Sequence, residues 1–444
     1  MNHHSMAHRA GNDHSEGVQK MHRGMTRAAV AVASVAGLLA VGACGNGGDG
    51  GGGGAKDKDV QVFTWWADGG EKAGLDGLVA QFRKDCPDYT FDNAAVAGGA
   101  GSNAKQVLAN NLQAGDPPST FQAHAGKELK DYIDAGQVDD VTQLYKDFGL
   151  DTAFPKNLID NLTVDGKIYS IPANIHRANV VWTSTAVLKK ASIDASKAPA
   201  SVDAWIADLD KLKAAGVKAP LASGKGFAQE QLMEAVLLAE LGPDKFTGLF
   251  DGSTDAMGAD VAAALGKYKR LLGYTNSDRD AIEWSDALGY VNKGQAGYTL
   301  MGDWVAAQQL ADKVPDAAYT YWPAPGTQGV FQYLADSFTL PTNGKNPDGA
   351  KCWLKTVGSA DGQKAFNTKK GSIPARSDAN PADYPKYQQS AMADWKQDKV
   401  VPSCAHGSAC TLGQNESIQS AISQFSAKQD VATFQKALAA ALKS

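Results

Sequence analysis

Positive charge is nowhere concentrated in this chain: 43 Lys and Arg stand against 48 Asp and Glu, the net charge is −5, and the basic residues are scattered. A nucleic-acid partner needs a basic face to neutralise phosphates, so that class is excluded. No Walker loop, HExxH or GxSxG occurs, which removes the commoner signatures of NTPases, zinc proteases and α/β-hydrolases. Cysteine is scarce, five in 444 residues, and the close CxxC pair of structural zinc sites is missing. Beyond the N-terminal region no apolar run is long enough to cross a bilayer. With 43% hydrophobic and 20% charged residues, the composition is that of an ordinary soluble globular protein.

What the chain does have begins near its N-terminus. Arg23 and Arg27 precede an apolar run, Ala28 to Ala43, which closes on Val41-Gly42-Ala43-Cys44. A positive flank, a short apolar stretch and small residues before a cut describe an export signal over residues 1–43. With Cys44 at the cut, the pattern looks like a bacterial lipoprotein signal, and Cys44 is the expected lipidation site. The Gly-rich run that follows reads as a flexible tether over residues 44–58. Because Met21 and Met25 lie just before the signal, the His-rich opening reads as a misassigned start rather than a metal site. The expected location is therefore extracytoplasmic, on the outer face of the cytoplasmic membrane, held by lipid alone.

About 385 residues follow the tether, more than one core usually supports, so at least two lobes are expected. Exported proteins keep disulfides. Four cysteines, Cys86, Cys352, Cys404 and Cys410, allow three connectivities; the short spacing of Cys404 and Cys410 around a Gly-containing loop favours their pairing and leaves Cys86 with Cys352. The rival reading is zinc held by Cys404, His406 and Cys410.

Val60 to Trp65 alternates as a strand, and Leu75, Leu78, Val79 and Phe82 then repeat at helical spacing. Thr90 to Ala97 reads as a second strand, residues 103–114 as a helix, and Thr120 to Ala123 as a third strand. Strands alternating with helices predict a mostly parallel α/β sheet, with ligands at the carboxyl ends of strands. Trp65, Trp66, Gln122 and His124 fall at such ends. A crossing between lobes is expected near Asn174 to Asn179, before the strand Val180 to Thr183. Residues 202–297 read as mainly helical, 297–301 and 330–341 as strand-like, and 418–442 as two amphipathic helices.

Gly99-Ala-Gly101-Ser-Asn-Ala104 fits a loose dinucleotide fingerprint but lacks the acidic residue at the next strand end, where Gln122 and His124 stand; it predicts backbone room at a turn. Trp65 and Trp66 say more. Adjacent aromatics at a strand end cannot both point into one core face, so one is expected in the crevice. A Trp ring flanked by polar groups suits a sugar, with its C–H faces and hydroxyls. Trp182, Trp284, Trp304 and Trp322 also lie beside Gly, Pro or polar residues, and that spread fits carbohydrate. Glu71, Asp303 and Asp336 could be combined as paired acids for glycoside cleavage, but nothing in their spacing supports it. His124, His176 and His406 have no nucleophile beside them, so hydrogen bonding is their expected work.

From about Val60 onward the chain resembles the solute-binding proteins of ABC sugar importers and is similar to glucose/galactose-binding proteins. The stretches that carry this include Trp65-Trp66, Ala97 to Ala104, Gly115-Asp-Pro-Pro118, Phe121-Gln-Ala-His-Ala-Gly126, Phe154 to Asp160, Asn174-Ile-His-Arg177, Met301-Gly-Asp-Trp304, Asp336-Ser-Phe338, Lys370-Gly-Ser-Ile373 and Ser390 to Trp395. The resemblance implies a two-lobed periplasmic-binding-protein-like fold of the class II type, with the ligand in the cleft between lobes and closure by hinge motion. Lobe 1 would take residues 59–173 and about 325–372, and lobe 2 residues 174–324 and about 373–444. It implies a monosaccharide ligand, an ABC permease partner, a monomer, and neither enzyme activity nor cofactor nor metal. By the same resemblance Trp65, Trp66 and Trp284 would pack on the sugar, while Glu71, Gln122, His124, Lys156, Asp336, Lys370 and His406 would bind its hydroxyls. The cysteines flanking His406 depart from the pattern and would reshape that loop.

Overall fold

The computed structural model describes residues 58–98 and 101–444. The stretch read as an export signal, Cys44 and most of the expected tether lie outside the described residues. Among the described residues no helix is long and apolar enough to cross a membrane.

The first sheet grows from the alternation at the start of the chain. Asp59–Phe63 buries Val60, Val62 and Phe63, and it runs parallel to Thr90–Asn93 on one side and to Thr120–His124 on the other. The helix Gly69–Asp85 turns Leu75, Leu78, Val79 and Phe82 inward at the expected spacing. Thr90–Asn93 is shorter than the predicted strand and mostly exposed, as befits an edge. Beyond Thr120–His124 the sheet continues with Asp336–Thr339 and then Ser170–Pro172, both pairings antiparallel. A second sheet is centred on Val180–Ser184, antiparallel to Tyr298–Leu300 and to Tyr319–Pro323, with Leu221–Ala222 added in parallel.

The sheets are thus mixed rather than mostly parallel. A parallel neighbour needs a crossover connection; Asp336–Thr339 instead enters the first sheet straight from Val330–Leu334, against the direction of Thr120–His124. The segment 330–341, read as one strand, is divided at Ala335. Val330–Leu334 joins His176–Arg177 and Lys399–Pro402 in a small third sheet, and Asp336–Thr339 joins the first. Close by, Ile175 bridges Ile373, so three passages of the chain lie side by side where it moves between the large sheets.

Each large sheet has its own core. Trp66, Phe82, Phe121, Phe338 and Trp353 belong to one; Trp205, Phe246, Tyr268, Tyr298 and Phe425 belong to the other. The predicted helical region resolves into Val202–Ala214, Phe227–Asp251, Ala259–Leu272 and Trp284–Asn292, the second of these broken at Gly242-Pro243. The tail forms Leu412–Lys428 and Val431–Ala441, with Phe434 and Leu438 buried. Both disulfides take the expected pairing: Cys86 with Cys352, and Cys404 with Cys410. That uses both thiolates of the zinc alternative, which therefore fails.

Candidate functional site

The Asp59–Phe63 strand is followed by Thr64, whose hydroxyl donates to the side-chain oxygen Oε1 of Gln122; the same oxygen accepts from the Trp65 amide at 3.3 Å. This ties the first strand end to the third and turns the following Trp pair into the space between them. Trp66 is fully buried against Phe366 and Phe338, at ring separations of 4.5 and 5.6 Å, yet one part of it still lines the cavity. Trp65 faces His124 at 5.0 Å. Gly101, with φ of 101°, begins the next helix, and a Cβ there would lie 3.0 Å from the Trp65 ring. The glycine motif therefore supplies backbone room beside an aromatic.

Asp336 is the centre of the polar network. Its Oδ1 accepts from Gln122 Nε2 at 2.9 Å, its Oδ2 from Asn174 Nδ2 at 2.8 Å, and His176 Nε2 stands 3.5 Å away. Burial alone would raise its pKa, but the hydrogen bond and charge of His176, with Lys370 and His124 nearby, outweigh that and hold the carboxyl well below the usual range. His176 is in turn held by Asp303 at Nδ1. Burial pulls the His176 pKa down, and Asp303 more than reverses it, leaving the imidazole above its ordinary value.

Lys370, almost wholly buried, donates to Glu71 Oε1 at 3.2 Å, lies 3.3 Å from His176 Nε2, and sits over the rings of Trp66 and Trp304 at 5.8 and 6.0 Å. On the other side, His124 Nδ1 meets Glu128 Oε2 at 2.7 Å, and Lys105 donates to the same oxygen. Burial opposes ionisation of Glu128, but Lys105 and His124 hold its pKa well below the usual range.

The last wall comes from the disulfide loop. His406 is buried among Trp304, Phe227 and His124, at ring separations of 5.2, 5.5 and 5.9 Å, and its Nε2 has no hydrogen-bond partner. Burial, with the charges of His124 and Lys105, pushes its pKa well below the ordinary histidine value, so it is neutral. Gly407, at φ of 68°, lets the chain pass against His124 and Glu128, where a Cβ would collide.

One cavity collects these groups: Trp65, Trp66, Glu71, His124, His176, Trp284, Trp304, Leu334, Asp336, Lys370 and His406. Its walls leave about 20 Å³, room for about one water. At His124 and His406 it adjoins a groove of about 560 Å³. Of the ten residues expected at the site, eight line the cavity. Gln122 stands behind it, holding Asp336 and the Trp65 backbone. Lys156 is elsewhere: its side chain is 87% exposed and pairs with Asp160 one helical turn on. The helix Lys156–Asn161 buries only Leu158, so position 156 faces outward.

His176, Asp303 and Trp304 complete the arrangement without having been assigned to it, although both Asn174 to Arg177 and Met301 to Trp304 carry the resemblance. Trp182 and Trp322 are core residues instead. A further cluster, Glu230, Glu234 and Cys404, has the spacing of metal ligands, but Cys404 is bridged to Cys410 and Glu234 is occupied by four donors, so it does not fit an ion.

Residues 66–364 match the family described as bacterial extracellular solute-binding protein. An uncharacterised ABC transporter extracellular-binding protein of Pyrococcus horikoshii is 34% identical over 379 residues, covering 84% of this chain and 85% of that one. The xylose/arabinose-binding protein of Haloferax volcanii is 28% identical, covering 80% and 78%. Among solved structures, a bacterial solute receptor with a substrate preference for galactopyranose superposes with a TM-score of 0.74 at 20% identity, covering 87% of this chain and 99% of that one. A chitin oligosaccharide binding protein gives 0.74 at 19%, covering 87% and 98%. These likenesses establish the two-lobed fold. On the extent of the family match and the identity with its relatives, the chain belongs to the bacterial extracellular solute-binding proteins.

Proposed function

We propose that this protein is a lipid-anchored receptor that captures a monosaccharide, glucose or galactose before others, and delivers it to the permease of an ABC transporter. The observation that carries the reading is the cavity itself. Four Trp side chains enclose Glu71, His124, His176, Asp336, Lys370 and His406, which gives apolar faces for the C–H surface of a sugar ring and charged partners for its hydroxyls. Hydrogen bonds to charged groups are the stronger kind, and a buried group left unpaired costs about 1–3 kcal/mol, so an epimer that misplaces one hydroxyl is rejected.

Asp336, held ionised, is set to accept hydrogen bonds from sugar hydroxyls. On this reading the protein works without chemistry, as a monomer. Lobe 1 comprises residues 59–173 and about 325–372, and lobe 2 residues 174–324 and about 373–444. Since about 20 Å³ admits no sugar, the lobes part about the three side-by-side passages to take one in, and contacts to both lobes favour the closed state. Cys44 keeps the receptor at the membrane. A pentose is the second reading, favoured by the similarity to the xylose/arabinose-binding protein.

Titration calorimetry of the mature protein against glucose, galactose, xylose, arabinose and maltose tests this. Stoichiometric binding with the sugar recovered intact supports the receptor; release of a product, or no heat with any sugar, rejects it. Labelling of cells with a palmitate analogue tests the anchor, which fails if Cys44→Ser is labelled like the parent.

A further inference from the structure

The helix Phe227–Asp251 carries two acids on one buried face, Glu230 and Glu234, spaced by one turn. Buried carboxylates are costly unless donors surround them. Glu234 has four. Its Oε1 accepts the backbone amides of Cys404 at 2.8 Å and Ala405 at 2.7 Å; its Oε2 accepts the Ser403 hydroxyl at 2.8 Å and Gln332 Nε2 at 2.6 Å. Three consecutive residues of one loop therefore hang from a single side chain, and the next residue is His406.

Glu230 supports the same loop from one turn earlier. Its Oε1 accepts from Asn415 Nδ2 at 3.1 Å, and that amide also donates to the Cys404 carbonyl at 3.2 Å. Glu230 Oε2 has no partner. Burial first, and then the neighbouring Glu234, push the Glu230 pKa well up; burial also raises that of Glu234, to about 7, against the pull of its four donors, so Glu234 is the more readily ionised of the two. The Cys404–Cys410 bridge closes the loop on its far side. Neither acid lines the cavity that His406 enters.

We infer that Glu234 is a positioning residue for ligand capture: it fixes the 403–405 backbone and through it the depth and orientation of His406 in the cavity. This rests on the reading of that cavity as a sugar site, with His406 among its ligands. The arrangement explains why a carboxylate stands at position 234 of this buried helix face. Two backbone amides need an acceptor there, and the Ser403 and Gln332 donors need a second.

The test is a double-mutant cycle on the full mature chain, read by calorimetry with D-glucose and D-galactose at a temperature well below unfolding. Glu234→Gln keeps an acceptor for the two amides but puts an NH2 where Ser403 and Gln332 donate, so that Ser403 loses its acceptor and Gln332 must turn its amide over to present its oxygen; affinity is expected to fall about tenfold. Glu234→Gln combined with Gln332→Glu exchanges donor and acceptor and restores affinity to within about threefold of the parent. In a His406→Ala background Glu234→Gln adds nothing further, because its effect runs through His406. Unchanged affinity in Glu234→Gln, or effects of the two substitutions that simply multiply, overturn the inference.

A readout without ligand separates this from failure of the sugar reading. The imidazole resonances of His406 shift in Glu234→Gln and return in the double exchange; resonances that do not move overturn the positioning role whatever binds. Should Glu234→Gln fail to fold, the double exchange carries the test alone, since a foldable exchange that binds tenfold more weakly than the parent also rejects it. A parent protein that binds neither hexose removes the sugar reading instead.

Discussion

Asp336 stands directly opposite His124 in the antiparallel pairing of two neighbouring strands, and both strands end at the cavity. The pairing sets a fixed acceptor beside an imidazole whose other nitrogen is held by Glu128. Asp336→Asn keeps the shape and removes the charge. Hexose affinity is expected to fall by about 1.5–3 kcal/mol, roughly 10–150-fold in Kd. Calorimetry on the folded variant decides it, and a Kd equal to the parent's rejects Asp336 as a ligand.

His406 gives a prediction about pH. Its folded pKa is depressed, so as pH falls below about 6.5 the unfolded chain takes up a proton that the folded protein refuses, and stability declines on that side. His406→Gln removes this contribution and flattens the decline between pH 7 and 5. Thermal unfolding across that range measures it. The parent's His406 resonances should also stay those of a neutral ring at pH 5; a titration near 6.5 contradicts the buried environment.

Glu128 works in the opposite sense. Its carboxyl is held below its ordinary value, so the stability it contributes is present above about pH 4.5 and is lost as pH falls further. Glu128→Gln has a shallower acid limb than the parent. An identical limb in both shows that the Lys105 and His124 contacts do not govern it.

The two disulfides divide between stability and binding. Cys86–Cys352 closes a separation of 266 residues, and its removal by paired Ser substitution is expected to cost about 2–5 kcal/mol with sugar affinity unchanged. Cys404–Cys410 closes only six, so its loop-closure contribution is smaller; its loss loosens the His406 loop and weakens affinity instead. Reversal of this pattern in unfolding and titration data refutes the assignment.

Lys156 and Lys370 form a matched pair of tests. The first is exposed and its pairing with Asp160 is a surface one, so Lys156→Ala should change stability by less than about 0.5 kcal/mol and leave affinity alone. Lys370→Met removes a buried donor that touches Glu71 and His176, and binding should fall at least tenfold if it meets a hydroxyl. Equal effects of the two mean that burial has been misjudged as a guide to the site.

Much of this was legible in the residues because the relevant signals are local. The alternation of Val60 to Trp65, the helical spacing of Leu75 to Phe82 and the polar residues after strand ends all report structure within a few positions. Lys156 was misplaced because a motif match names a residue without naming its face; Asp160, four residues on, was the available clue to an outward pair. The division of 330–341 at Ala335 was hidden since both halves are fully buried and read as one strand. Leu221–Ala222 is two residues long, too short for any period to register. Glu234 lies in a stretch read only as mainly helical, and its partners come from residues about 100 and 170 positions away, beyond the reach of spacing.

The first sheet also has a history in time. Gln122 meets Asp336 214 residues later in the chain, and Cys86 waits 266 residues for Cys352. A polypeptide that emerges from its N-terminus therefore holds three parallel strands with an open edge along Thr120–His124 until its distant partner appears, and an open edge invites pairing with the wrong chain. Correct oxidation has to come late, after most of the sequence is out. The most exposed passage for this protein is thus the interval between emergence of its first sheet and arrival of that sheet's missing strand, and that interval is where a chaperone would be of most use.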